Sequence, residues 1–198
     1  MPTLENVTAE CDRFDQEYWL AEEAVRLLWQ RFDRNFEIRH VLLKVLVLNK
    51  LYGTMIPDDK VETLAKHIVG LAVDKHLDTL LDRGELEAVA LIRDCPNLKQ
   101  YASFASKFCS WHHPTDYPIY DGNVRACLWS YQEQDSFTTQ FLQDDLSYYL
   151  KYVDIIKAFR THYKLDSLTF KQLDKFMYRL GGRILKARKD LKNGAIAT

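Results

Sequence analysis

Through most of the chain apolar residues return every three or four positions, and no period-two alternation persists anywhere. Phe14, Tyr18, Trp19, Val25, Leu28, Trp29 and Phe32 keep that spacing, with Asp, Glu and Arg between them. A stripe of this kind predicts an amphipathic helix over residues 9–33. Only 7 Gly and 5 Pro punctuate the 198 residues, so the same reading extends over most of the chain. It predicts further helices at 36–52, 61–73, 77–81, 85–92, 97–111, 122–131, 140–163 and 170–180. The second is dense enough in apolar residues to be expected at the centre of the protein. Gly181-Gly182 is expected to end the last helix and to release a basic tail over 183–192. The fold class is all-α, in one domain over residues 1–198. The layout suits a two-lobed bundle, with the first and last helices in one lobe and the middle helices in the other.

Composition narrows the function classes. The formal net charge of -1 speaks against a bulk electrostatic binder of DNA but leaves room for a local basic face. Cys11, Cys95, Cys109 and Cys127 form no CxxC pair, so buried free thiols are expected rather than a zinc or iron–sulfur site. The adjacent pair His112-His113 is spaced poorly for two ligands from one helix face and reads as polar loop residues. No metal and no cofactor are expected. The apolar run Val41–Leu51 contains Lys44, Asn49 and Lys50 and is too short to span a bilayer. With no signal sequence at the start, the expected location is cytoplasmic, away from membranes. The oligomeric state is not readable.

The chemistry concentrates in residues 101–129, YASFASKFCSWHHPTDYPIYDGNVRACLW. On a helical wheel Tyr101, Phe104, Phe108 and Trp111 share an apolar arc, Ser103, Ser106 and Ser110 lie opposite, and Lys107 falls at the arc's edge. Removing water from an amine favours its neutral form, and the neutral amine is the nucleophile. Asp121 stands where an N-cap of the next helix is expected. A lysine late in one helix, a Pro-containing loop and an Asp at the next helix start can aim amine and carboxylate at one pocket.

The segments SFASKF (103–108) and PIYDGNVR (118–125) resemble the lysine-bearing helix and the aspartate segment of helix-hairpin-helix DNA glycosylases with lyase activity. The archaeal and short OGG-like 8-oxoguanine glycosylases are closest in style. The resemblance implies a two-lobed helical fold of that type, with duplex DNA carrying a flipped base as the partner. It implies that Lys107 forms a Schiff base with the sugar and that Asp121 assists departure of the base. Trp111, Tyr117 and Tyr120 become candidates for stacking on the base, and Asn49 for facing the pocket. Arg125, Arg183, Lys186 and Arg188 become candidates for phosphate contacts, with an ion pair near the cap as the alternative for Arg125 and a solvated helix end for the tail. Most members carry a glycine-rich hairpin before the lysine, whereas NLKQYASFASK has no glycine. That departure keeps a second reading open, a non-catalytic module of the same ancestry that binds DNA or a protein.

Overall fold

The structure is a computed structural model that describes residues 1–196. Its described elements are α1 (Leu4–Arg31), α2 (Ile38–Leu51), α3 (Asp58–Asp74), α4 (Leu77–Asp82), α5 (Glu87–Arg93), α6 (Ala102–His112), α7 (Gly122–Asp135), a 3-10 turn (Gln143–Ser147), α8 (Tyr149–His162) and α9 (Phe170–Ile196). The protein is all-α, and no strand occurs among the described residues. Two compact units divide it: residues 1–17 with 120–198, and residues 18–119. The long helix α1 contributes to both.

In the unit of residues 18–119, α2 packs on α3, and α5 and α2 both pack on α6. Val25 and Trp29 of α1, Val45 and Leu48 of α2, Ile68 of α3 and Phe108 of α6 are buried there. Against expectation, α2 is not a central helix. It buries the single stripe Val41, Lys44, Val45 and Leu48, at the i, i+3, i+4, i+7 spacing of one helix face, while Leu43, Leu46 and Leu51 are exposed. The central helix is α6, buried without interruption from Phe104 to Ser110. Gly53, at φ +56°, turns the chain out of α2 through the left-handed region that favours glycine.

In the other unit α7 and α9 make the most extensive helix–helix packing of the molecule. The reason corrects the expectation for Gly181-Gly182. The pair does not end a helix; α9 runs through it to Ile196. A Cβ at Gly181 would stand 1.8 Å from the backbone oxygen of Asn123, so the glycine lets α9 cross backbone-to-backbone over the start of α7. The expected helix over 140–163 is also shorter: residues 143–147 form the 3-10 turn and α8 begins at Tyr149. Phe137, Tyr131, Phe159 and Tyr163 form an aromatic cluster against α8, with Phe159 and Tyr163 centroids 4.6 Å apart. At the chain ends Glu10 of α1 accepts from Arg179 (2.9 Å) and Arg183 (3.1 Å) of α9.

Candidate active site

Lys107 occupies a buried position on the central helix α6, with 4% of its surface exposed. A lysine that snorkels keeps its head in water; this one does not. Its Nζ donates to Ser103 Oγ one turn back at 2.7 Å and lies 5.9 Å from the centroid of the Tyr52 ring. Tyr52 in turn accepts from Trp111 Nε1 at 3.1 Å and donates to the Glu22 carboxylate. Residues from α1, the end of α2 and α6 therefore hold the amine within an aromatic and hydroxyl setting. The serines opposite the apolar arc are not on a solvent face, since Ser106 and Ser110 are buried as well.

Asp121 belongs to the other unit. Its backbone is extended (φ −153°, ψ 176°) and its carboxylate accepts from Val124 N at 2.9 Å, which is the N-cap geometry that starts α7.

Two residues expected to face a bound base are committed elsewhere. Asn49 uses its amide to tie down the loop after α2: Nδ2 donates to Ile56 O at 2.8 Å, and Oδ1 accepts from Thr54 Oγ1 and Ile56 N. Tyr117 is fully buried, and its hydroxyl is shared between the carbonyls of Leu80 and Glu85 at 3.1 and 3.0 Å. It offers no face for stacking. Trp111 and Tyr120 remain half-buried. Arg125 turns its guanidinium to the Gln143 carbonyl at 3.3 Å and over the Tyr120 ring at 5.9 Å. Of the basic residues on α9, Arg183 is paired with Glu10, Arg188 with Glu133 at 3.4 Å, and Lys186 is exposed.

The sequence reading missed a second buried amine. Lys44 on α2 is fully enclosed. Its Nζ donates to Asn35 Oδ1 at 2.9 Å, lies 3.4 Å from His112 Nε2, and sits 5.2 Å from the Trp29 ring centroid. Asn35 passes the connection on to Asp78, through its backbone N at 3.0 Å and through Nδ2 at 2.5 Å. Burial lowers Lys44 to about 7, against the opposing pull of the Asp78 and Asp33 carboxylates. Burial first, and then the Lys44 and Arg34 cations, push His112 well below its ordinary value. His112 is thus not a loop residue but the end of α6, and its Nε2 is placed to accept from Lys44. The available signal was Lys44 itself, standing in the apolar stripe of α2 where Val41, Val45 and Leu48 share its face.

All four cysteines are free and buried. Burial pushes the Cys11 thiol up to about 11 and raises those of Cys109 and Cys127 well above the ordinary thiol value, which makes them poor nucleophiles. Among the described residues no group of three or more His, Cys, Asp and Glu is arranged to hold a metal ion. Among the same residues no helix is long and apolar enough to cross a membrane.

A protein of Haemophilus influenzae that carries the name "Uncharacterized protein" is 31% identical over 190 residues, covering 93% of this chain and 88% of the relative. No solved structure matches the chain. Residues 3–116 match the HI_0787_N family model, described as an N-terminal domain, so Lys107 lies within the matched span and Asp121 beyond it. That span is more than half of the 198 residues, and the chain belongs to the HI_0787_N family.

Proposed function

We propose that the protein is a DNA base-excision enzyme of the helix-hairpin-helix type, a glycosylase with lyase activity that uses Lys107 as its nucleophile. The observation that carries this reading is the withdrawal of the Lys107 amine from water onto Ser103 and the Tyr52 ring. The enclosure fixes the amine among hydroxyl and aromatic groups, and a lysine amine is the nucleophile that forms a Schiff base with a sugar carbon. The resemblance of residues 103–108 and 118–125 to the glycosylase segments supplies the substrate class. In this reaction the amine bonds to the sugar C1′ as the C1′–N bond to the base breaks, and the base leaves with the bonding pair and takes up a proton. Loss of the ring-oxygen bond then gives an imine, from which β-elimination cleaves the strand. Asp121 takes the role the resemblance gives it, steadying positive charge on the sugar, and Trp111 and Tyr120 keep the stacking role the same resemblance gives them.

The test is borohydride reduction of the protein mixed with duplexes that carry 8-oxoguanine, a deaminated base or an abasic site. Wild type is expected to become covalently attached to at least one of them. Lys107→Gln is expected to abolish attachment, and Asp121→Asn to slow base release by about a hundredfold or more while leaving attachment to abasic DNA. Attachment undiminished in Lys107→Gln removes Lys107 from the mechanism. DNA binding with no attachment to any duplex replaces the enzyme with a non-catalytic module.

A further inference from the structure

Within the unit of residues 1–17 and 120–198, two open cavities share one wall, the indole of Trp129. The first, of ≈ 240 Å³, is also lined by Arg125, Arg188, Gly122 and Gln143. The second, of ≈ 450 Å³, is also lined by Gln132, Glu133, Ser136, Thr138, Gln140 and Phe141. We infer that the pair forms a subsite for one nucleotide unit, its phosphate held between Arg125 and Arg188 and its base beside Trp129 in the second cavity.

The chemistry of each wall points this way. Two guanidiniums at one concavity suit a phosphate, because each presents a planar fork of donors. Arg125 makes no ion pair among the described residues. Its guanidinium donates to the Gln143 carbonyl at 3.3 Å and lies over the Tyr120 ring, which fixes the group at the rim and leaves further N–H donors of its five. Arg188 is engaged by Glu133 at 3.4 Å across a surface where both side chains are about half exposed. A pair of that kind contributes little and can exchange for a phosphate. Trp129 is half-buried and edged by Phe141 at 5.8 Å, so the ring is supported and still presents surface. Base–aromatic stacking is the sequence-tolerant part of single-strand recognition. Beyond it Ser136 and Gln140 are exposed, a hydroxyl and an amide able to meet either donors or acceptors on a base edge. Gln132 does not compete, since its amide is spent on the backbone of Thr138. With an overall charge of -1, two guanidiniums at one cavity, only one of them facing a carboxylate, are a local feature of this face.

The choice of a strand over a free nucleotide rests on the nucleic-acid reading above; the site itself does not. The experiment uses the full chain, an undamaged single-stranded hexanucleotide followed by fluorescence anisotropy, thymidine monophosphate and inorganic phosphate. No lesion and no Lys107 chemistry enter, so failure here and failure of the lyase reading are read separately. The strand is expected to bind more weakly as salt rises. Arg125→Gln with Arg188→Gln is expected to weaken it at least about tenfold and to flatten the log–log salt slope by about 1.4, the single-strand value for two phosphate contacts. The double Lys variant keeps the slope and reports that the fold survives. Trp129→Leu weakens the strand and the mononucleotide but not inorganic phosphate. Binding of the strand at least about tenfold tighter than the mononucleotide identifies a strand as the source, and equal binding identifies a free nucleotide. The proposal is overturned if neither binds, if the double Gln variant binds as wild type does, or if Trp129→Leu changes nothing.

Discussion

A lysine stripped of water is the most consequential residue-scale feature of this protein, and there are two. Lys107 is the proposed nucleophile, whereas Lys44 acts on stability. Its amine, lowered from 10.5 to about 7 by burial, binds its proton less well in the folded chain than in the unfolded one. Between pH 7 and 10.5 the unfolded state therefore carries the extra proton, and stability rises with pH across that window. A difference of this size corresponds to on the order of 5 kcal/mol if realised in full. Urea midpoints measured from pH 7 to 9.5 are expected to rise in wild type relative to Lys44→Met, and equal slopes would show that the amine is compensated. The sign on the acid side follows from His112, whose folded value lies below its unfolded one. The unfolded state takes up the proton first as pH falls through the ordinary histidine range, so stability drops there, and His112→Gln is expected to remove that drop.

At the scale of elements, the glycine pair in α9 separates two roles that identical neighbours can play. Gly181→Ala would drive a methyl into the backbone of Asn123, whereas a Cβ at Gly182 first meets the Asn123 side-chain amide at 3.5 Å. Backbone cannot step aside as a side chain can. Gly181→Ala is expected to cost about 1–3 kcal/mol or more. Gly182→Ala should be neutral or stabilising by up to about 1 kcal/mol, because alanine is the better helix former. Thermal or urea unfolding of the two variants checks the contrast; equal effects would refute a backbone crossing. The same pair shows what was legible in the sequence. Helix class and rough position were readable because 3.6-residue periodicity is a local signal, and Asp121 as the start of α7 was readable because capping is local too. The pair Gly181-Gly182 was misread as a stop because its cause is Asn123, far off in the chain. The hydrogen bonds that occupy Asn49 and Tyr117 were hidden for the same reason. Their hydrogen-bond partners, in the loop after α2 for Asn49 and at Leu80 of α4 and Glu85 beyond it for Tyr117, approach in a way no wheel displays. Lys44 was overlooked as an interruption of an apolar run, although its place in that stripe was the signal.

At the scale of the whole molecule, the unit that contains α7, α8 and α9 is built from both chain ends, so it is complete only when the first residues meet the last helix. Glu10 is the hinge of that closure. It accepts from Arg13 at 2.7 Å within α1 and from Arg179 and Arg183 across the gap in sequence. Cys11, donating to Gln172 O, and Phe14, edge-on to Tyr178 at 6.0 Å, extend the same seam. Burial alone would raise the Glu10 carboxyl, but the hydrogen bonds from Arg183 and Arg179 outweigh it and hold it at about 2 instead of 4.5. The folded state keeps this carboxylate ionised where the unfolded state has already protonated it. Its stabilisation is present in full above pH 4.5 and is lost as pH falls toward 2. Glu10→Gln removes the charge that Arg179 and half-exposed Arg183 share and is expected to destabilise the protein by about 1.5–3 kcal/mol at pH 7, the range for hydrogen bonds to a charged group. The penalty should shrink as pH falls from 4.5 toward 2, because wild type then loses the same interaction. Measured as the difference in urea midpoint between wild type and Glu10→Gln over pH 2.5 to 7, that convergence separates an ionic clasp from simple packing: a gap that stays constant would mean that Glu10 closes the chain ends by shape alone.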